Sequence, residues 1–248
     1  MEQENLFRKI QDILGDFKGN LNILEEQIDL NIQVEYYEAS KAIKDKVDAD
    51  QILARKDSLF SSDTSLDEKK ILLNSLASID KTEAFRILEQ YHQAPEPELK
   101  EWATLAFQES KLLMESSILE ENQIVISTGM GGKGHKLRYF IVLLANESST
   151  IDDLQLKIIE TELAFLSKKC EAELEEINHS DRFVTIKILI SMEVNLYDLF
   201  EELVDNCNQF GDFLQQNFII TNVKALTFEE IEHFLETSHL PGESDSEL

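Results

Sequence analysis

Residues Gln123 to Ala145 read QIVISTGMGGKGHKLRYFIVLLA, and this stretch separates two parts of the chain that differ in pattern. It opens with a short strand pattern, continues into a loop with four of the eight glycines of the chain, and ends in the most apolar run of the sequence. The residues before it are spaced as in helices, whereas the residues after it alternate between strand and helix patterns. We therefore expect an α+β protein with an all-helical domain over 1–121, an α/β domain over 122–238 and an acidic tail over 239–248.

The composition limits the classes of function. With 248 residues, of which 42% are hydrophobic, the chain can bury a core of its own. Its 49 acidic and 23 basic residues give a net charge of -26 at pH 7. This charge repels phosphate groups at long range, so duplex nucleic acid is disfavoured as a partner.

The sequence also bears on location and on cofactors. It contains no apolar segment long enough to span a bilayer, and its first residues lack the basic and then apolar order of a secretory signal. The cysteines Cys170 and Cys207 belong to no CxxC pair, so zinc binding and thiol redox chemistry have little support. We expect a cytoplasmic protein with no membrane partner, cofactor or metal.

Helix patterns fill the first half of the chain. Apolar spacing predicts one helix over Asn5–Leu14 and a long amphipathic helix over Asn20–Lys46. Ser65, followed three residues later by a glutamate, is a capping box that begins the next helix. A later helix over Glu98–Ile118 is apolar around more than one face, so Trp102 within it is expected to be buried.

The segments KKILLNSLASI and PELKEWATLAF resemble helical repeats of the HEAT or armadillo type. The resemblance covers Asp48 to Ile118 and has room for two repeat units at most. It implies a protein-binding surface. The alternative, a small helical bundle that supports the second half, is equally compatible with these residues.

The second half has the element order βαββαβ and resembles the ferredoxin-like sandwich. The predicted strands are Tyr139–Ala145, Ala172–Ile177, Phe183–Ser191 and Phe218–Lys224, and the predicted helices start at Ser149 and Asn195. The first and third strands are continuous apolar runs, as expected for the two inner strands. The second is rich in glutamate, which suits an edge strand. An extra strand over Gln123–Thr128 precedes this pattern, with its place in the sheet left open, and an extra helix begun by Thr227 follows it.

The glycine loop permits two interpretations. Its glycines allow backbone amides to converge on an anion, and its basic side chains can neutralise a phosphate or carboxylate. The loop lacks the spacing of a P-loop and is followed by a strand, so it also fits a plain hairpin connection. The candidate ligand-binding residues are Gly129, Gly131, Gly132, Lys133, Gly134, His135, Lys136 and Arg138.

No catalytic or metal-binding motif is recognised in the sequence, so no catalytic residue is predicted and an enzyme is the less favoured reading. The leading prediction is a non-enzymatic, cytoplasmic protein-interaction or adaptor protein with a protein partner. The alternative is an anion-binding module or enzyme that uses the basic loop 129–138 to bind a nucleotide, a phosphorylated metabolite or single-stranded RNA. The sequence leaves the oligomeric state open.

Overall fold

The computed structural model describes residues 20–43, 46–121, 123–147 and 149–237. These form two compact units. The first contains residues 20–24 and Leu30–Ser127, and the second contains Glu25–Asp29 together with the residues from Thr128 onward. The helix predicted over 5–14 and the tail predicted over 239–248 lie outside the described residues. The domain boundaries predicted from the sequence stay a prediction.

The first unit consists of five α-helices and two short strands among the described residues. The strands are β1 (Asn20–Ile23) and β2 (Gln123–Ile126), and the helices are α1 (Leu30–Ile43), α2 (Ala49–Ala54), α3 (Leu66–Ala77), α4 (Thr82–Gln93) and α5 (Lys100–Leu119). Two 3₁₀ turns, Lys56–Phe60 and Pro97–Leu99, join them. The Ser65 side chain accepts a hydrogen bond from the Glu68 amide, as the capping box predicts. The resemblance to helical repeats stays a prediction.

The helix predicted over Asn20–Lys46 is correct only in its later part. Asn20–Ile23 form a strand instead, which pairs in parallel with Gln123–Ile126, about a hundred residues away in sequence. Backbone pairing to a distant strand leaves no local signal, and the helical spacing of Leu24 and Ile28 continues through the break. The helix begins only at Leu30.

A polar network lies inside the helical core. Trp102 is 4% exposed, which confirms the prediction that it is buried, and its Nε1–H donates to Oδ1 of Asn74. The Asn74 amide donates in turn to the backbone carbonyl of Tyr36, and the Tyr36 hydroxyl donates to Glu109 at 2.6 Å. These bonds join α1, α3 and α5, and they satisfy polar atoms that would otherwise be costly to bury.

The second unit is a five-stranded antiparallel sheet with three helices among the described residues, and it confirms the predicted α+β class. The strands are β3 (Gly132–Lys133), β4 (Lys136–Ala145), β5 (Glu173–His179), β6 (Phe183–Ser191) and β7 (Leu214–Thr221). The helices are α6 (Asp153–Lys169), α7 (Leu196–Asn208) and α8 (Phe228–Thr237). β4 lies between β6 and β7, and β6 lies between β4 and β5. The two inner strands are therefore the two that the sequence predicts.

Strand β4 has apolar side chains on both of its faces. Ile141 and Leu143 alternate with Phe140, Val142 and Leu144, and all of them are buried. The second group forms a core with Met130, Phe183 and Ile231 of α8. The extra C-terminal helix thus covers part of one face of the sheet.

Several boundaries in this unit differ from the prediction, since β4 begins at Lys136, β5 runs over Glu173–His179 and β7 ends at Thr221. Two further differences have a cause in side-chain hydrogen bonds. Helix α6 is capped by Asp152, whose carboxylate accepts from the amides of Leu154 and Gln155, so the helix begins after Asp152 rather than at Ser149. The last strand begins at Leu214 rather than Phe218, because the Asn208 side chain accepts from the amides of Phe213 and Leu214 and fixes the connection from α7.

Replacing Trp102 tests the helical core. Trp102→Ala should lower the free energy of unfolding by about 3–5 kcal/mol through lost contacts and a cavity. Trp102→Phe retains most of the ring but leaves the Asn74 oxygen unpaired, so it should cost about 1–3 kcal/mol. Urea unfolding followed by far-UV circular dichroism measures both, since each variant removes the single tryptophan of the chain. An alanine variant within about 1 kcal/mol of the wild type would contradict this account of the core.

Candidate functional site

The glycine-rich segment forms a tight β-hairpin at one end of strand β4. Gly132 pairs with Leu137 and Lys133 pairs with Lys136, so Gly134 and His135 form a two-residue turn. Gly134 has a φ of 60°, which suits glycine in such a turn. Lys133, Gly134 and His135 are exposed, and we call the residues from Lys133 to Lys136 the hairpin tip.

Two glycines before the tip are required by packing. A Cβ on Gly129 would lie 1.8 Å from the carbonyl oxygen of Val223, and a Cβ on Gly131 would lie 2.3 Å from the carbonyl oxygen of Glu25. Gly131 also has a φ of 64°. Neither position has room for a side chain, so these glycines let three backbone segments pack together.

A row of charged residues crosses the sheet next to the hairpin tip. Arg138 on β4 stands opposite Leu189 on β6, and Leu189 stands opposite Glu173 on β5. A bulge between Leu174 and Glu176 brings Glu176 opposite Lys187 on the same face. We call this row the charged strip; it consists of Lys133, Lys136, Arg138, Lys187, Glu173, Glu175 and Glu176.

Lys133 and Lys136 share one carboxylate. Their Nζ atoms lie 3.1 Å from Oε2 and 2.7 Å from Oε1 of Glu173. The hydrogen bonds from Lys136 and Lys133 hold the pKa of Glu173 below its ordinary value. The Glu173 side chain is 47% exposed and that of Lys133 is 63% exposed, so this contact is open to water.

A second carboxylate binds the hairpin tip from another segment. The Gly134 amide donates to Oε1 of Glu25 at 3.0 Å, and the Gly132 amide donates to the backbone carbonyl of Glu25. The tip therefore binds two anionic groups, one through lysine side chains and one through a backbone amide. Both glutamates are exposed.

Arg138 is held more firmly than the two lysines. Its Nε and Nη2 donate to the two oxygens of Glu175 at 2.6 and 2.9 Å, and its Nη1 donates to the backbone carbonyl of Met130. The hydrogen bonds to Glu175 raise the pKa of Arg138, and the same contact lowers the pKa of Glu175. With a side chain only 13% exposed, Arg138 fixes the loop to the sheet.

The structure brings the predicted basic residues Lys133, Lys136 and Arg138 together on one strip and places His135 at the exposed turn. The sequence reading did not assign the acidic partners and Lys187 to this site. Glutamates on β5 were expected to protect a sheet edge, and their register against β4 depends on the strand between them. The alternation of charged residues along β5 and β4 was the sequence signal available for these ion pairs. The bulge that brings Glu176 into the strip left no signal in the sequence.

Other polar groups have structural roles. Cys207 is buried, and this burial raises the pKa of its thiol to about 12. Lys69 is 1% exposed and pairs with Glu96 at 2.5 Å, which ties α3 to the turn before α5.

Among the described residues, no group of three or more histidine, cysteine or acidic side chains is placed to hold a metal ion. None of the described helices has the length and apolar character needed to cross a membrane.

The variant Gly131→Ala tests the packing of the loop, and the variant Gly134→Ala is its matched control. Both residues have positive φ, so each alanine should cost about 1–2 kcal/mol in backbone strain. Only Gly131 faces a backbone oxygen, whereas a Cβ on Gly134 meets open space. Gly131→Ala should therefore lower the melting temperature clearly more than Gly134→Ala does, as measured by differential scanning calorimetry. Equal shifts would contradict the close approach.

The carboxylates of the strip make a contribution to stability that depends on pH. The pKa values of Glu173, Glu175 and Glu176 are lowered by hydrogen bonds from Lys136, Arg138 and Lys187 respectively. A lowered folded-state pKa stabilises the fold above the unfolded-state pKa, and this stability is lost as the pH falls through the folded-state value. The variant with all three glutamates changed to glutamine should lose less melting temperature than the wild type between about pH 6 and about pH 3. Parallel curves for the two proteins would contradict the assigned pairs.

Sequence comparisons identify no family for this chain. No protein-family model matches it. No curated protein matches it either.

Solved structures show a partial likeness. A proposed transposase from Deinococcus radiodurans R1 matches with a TM-score of 0.37 and 14% identity, over 44% of this chain and 95% of that chain. A REP-associated tyrosine transposase bound to a REP hairpin matches with a TM-score of 0.31 and 10% identity, over 39% of this chain and 61% of that chain. The match thus spans less than two thirds of the second transposase. At this similarity the activities named are those of the two neighbours.

Two predictions from the sequence are contradicted by these neighbours. The prediction of a non-enzymatic protein-interaction or adaptor protein is wrong, because both neighbours are described as transposases. The prediction that duplex nucleic acid is a disfavoured partner is also wrong, because one neighbour is bound to a REP hairpin. Net charge is a property of the whole surface, whereas a phosphate contact depends on charges within a Debye length, about 8 Å at physiological ionic strength. The expectations about enzyme activity and cytoplasmic location stay predictions.

Proposed function

We propose that this protein binds the phosphate backbone of a nucleic acid at the hairpin tip. One observation carries the proposal: the tip already binds two carboxylates, Glu173 through Lys133 and Lys136, and Glu25 through the Gly134 amide. Lysine side chains and backbone amides are among the groups that bind phosphate oxygens in nucleic-acid complexes.

The two carboxylates can be replaced at low cost. Exposed ion pairs contribute only about 0–1 kcal/mol to stability, since water solvates both partners when they separate. Glu173 and Glu25 can therefore turn away when a phosphate arrives. Arg138, with two bonds to Glu175 and one to Met130, keeps the base of the hairpin in place meanwhile.

Local charge favours this part of the surface. With Glu25 included, the charged strip and the hairpin tip bring four basic and four acidic residues together, so a phosphate there meets far less repulsion than the net charge of the chain implies. Acidic residues farther away than about 8 Å are screened at physiological ionic strength. Among the described residues of the second unit, the strip brings four basic side chains together.

The strip favours contact with the backbone over reading of bases. It includes no aromatic side chain on which an unpaired base could stack, and stacking is the usual source of affinity for single strands. A base-paired stem presents its phosphates on the outside and needs no such platform. We therefore expect sequence-independent binding of a duplex or hairpin stem.

Fluorescence anisotropy with a labelled hairpin duplex of arbitrary sequence tests the proposal. Lys133→Ala with Lys136→Ala should weaken binding several-fold and should reduce the slope of log K against log salt by about 2, since two phosphate contacts are lost. Glu173→Gln with Glu25→Gln should strengthen binding several-fold, because both variants remove the anions that compete for the tip.

Matched controls separate a local effect from a change in net charge. Lys157 and Lys168 are exposed on α6, so Lys157→Ala with Lys168→Ala removes the same charge elsewhere on the second unit. Glu160→Gln with Glu201→Gln is the corresponding control for the acidic pair. Controls that change affinity as much as the tip variants do would overturn the proposal. Equal affinity for a free nucleotide and for the duplex would point instead to a small-molecule phosphate ligand.

A further inference from the structure

The face of the sheet that carries the charged strip continues from the strip to the beginning of α8. Lys136 and Arg138 alternate along β4 with Phe140, and no register shift interrupts their pairing with β6, so the three side chains lie on one face. Phe140 belongs to a core cluster that also includes Met130 and Ile231 of α8. The beginning of α8 therefore lies on the same face of the sheet as the strip.

Hydrogen bonds attach the turn between β7 and α8 to the base of the hairpin. The Met130 amide donates to the backbone carbonyl of Asn222 at 3.0 Å, and the Met130 carbonyl accepts from Nη1 of Arg138 at 2.7 Å. Within the turn, the Val223 amide donates to Oγ1 of Thr221 at 3.1 Å. The turn therefore keeps a fixed position relative to the strip.

The turn and the hairpin follow each other along the same side of β4. Strands β3 and β7 both pair with β4 on the side opposite β6. Thr221 of β7 stands opposite Phe140. Gly132 of β3 stands opposite Leu137, three residues and therefore about 10 Å farther along β4. The residues that follow Thr221 thus leave β7 at the end that faces the hairpin.

Lys224 ends this turn and has the same arrangement as the lysines of the hairpin tip. Its side chain is 52% exposed, and its Nζ lies 2.5 Å from Oε1 of Glu230. The hydrogen bond from Lys224 holds the pKa of Glu230 below its ordinary value. The other oxygen of Glu230 accepts from the Thr227 amide, so this carboxylate keeps a partner when the lysine leaves. Lys224 is thus an exposed cation in an ion pair that can be replaced at low cost.

We propose that Lys224 is a second phosphate contact of the nucleic-acid site, and that the ligand is a chain of phosphates long enough to reach both Lys224 and the hairpin tip. The inference rests on the proposed function and deepens it, because it names the class of ligand. That class is a polyanion such as a duplex stem, and a mononucleotide is too short to belong to it.

The contact at Lys224 is useful only to a ligand that is already bound at the tip. Glu229 and Glu230 both lie in the first turn of α8, so an isolated phosphate gains little there. A phosphate chain bound at the tip reaches Lys224 without a second association cost, because the new contact forms within the complex. Phosphates on each strand of a duplex recur about every 3.4 Å along its axis, so a duplex offers phosphates to both positions.

Fluorescence anisotropy of the full chain with the labelled hairpin duplex tests this contact. Lys224→Ala should weaken binding several-fold and should reduce the slope of log K against log salt by about 1, since one phosphate contact is lost. Lys169→Ala is the matched control, because Lys169 is also an exposed lysine, with a side chain 62% exposed, that pairs with one glutamate. The control should leave both quantities nearly unchanged.

The acidic partner gives a variant with the opposite effect, which a loss of folding cannot imitate. Glu230→Gln should strengthen binding of the duplex, because glutamine no longer competes for Lys224 but still accepts from the Thr227 amide. Glu202→Gln removes the partner of Lys169 and is the matched control. Equal effects of Glu230→Gln and Glu202→Gln would contradict a contact at Lys224.

Inorganic phosphate as a competitor separates the two classes of ligand. A single phosphate reaches the hairpin tip but cannot also reach Lys224, so its inhibition constant should be the same for the wild type and for Lys224→Ala. An inhibition constant that changes as much as the affinity for the duplex would overturn the assignment of a ligand with several phosphates.

The outcomes distinguish this inference from the proposed function. If the double variant Lys133→Ala with Lys136→Ala weakens binding while Lys224→Ala behaves as Lys169→Ala does, the contact at Lys224 is overturned and the hairpin tip remains the binding site. If the double variant also binds as the wild type does, both proposals are overturned.

Discussion

The second unit depends on strand β4. The side chains of this strand pack into a core on each face of the sheet, and its backbone pairs with two neighbouring strands. Its alternating side chains from Phe140 to Leu144 are buried on both faces, and its backbone pairs with β6 on one side and β7 on the other. A strand covered in this way allows one register only, since a shift of one residue would exchange its two faces. Every group placed on the sheet is therefore positioned relative to β4.

The charged strip arises where this double burial ends. Toward Ala145, one face of β4 lies under α8 and Met130, and its residues are apolar. Toward Lys136, the residues in the same alternation become Arg138 and Lys136, which are partly exposed. The long basic side chains extend over the small and apolar residues of β6 to reach glutamates on β5.

Much of this arrangement could be predicted from the sequence, and the remainder has identifiable physical causes. The two inner strands were predictable because burial on both faces leaves a continuous apolar run, and the caps at Ser65 and Asn195 were predictable because capping is local. Strand β1 could not be predicted, because its partner β2 is distant in sequence. The ion pairs of the strip could not be predicted either, because a third strand separates β4 from β5 and a bulge alters the register.

The glycines illustrate how one pattern can serve two physical purposes. A cluster of four glycines suggested a ligand-binding loop or a plain hairpin connection, and two of these glycines are explained by close packing of the backbone. Gly129 and Gly131 allow the backbones at Val223 and Glu25 to approach, and only Gly134 lies in the exposed turn. The amide that binds a carboxylate belongs to Gly134, so the part of the loop with a binding geometry is smaller than the sequence pattern.

The glutamates of edge strand β5 have two effects at the same time. They neutralise the lysines of the hairpin tip, and they keep the β5 edge from pairing with another strand. Removing Glu173 therefore frees a basic site and also weakens the protection of an edge. An acidic surface in this protein is consequently more than an aid to solubility, because it sets how strongly an anion must compete to reach Lys133 and Lys136. A polyanion with many phosphates competes better than a single small anion, since it can replace Glu173 and Glu25 in one binding event.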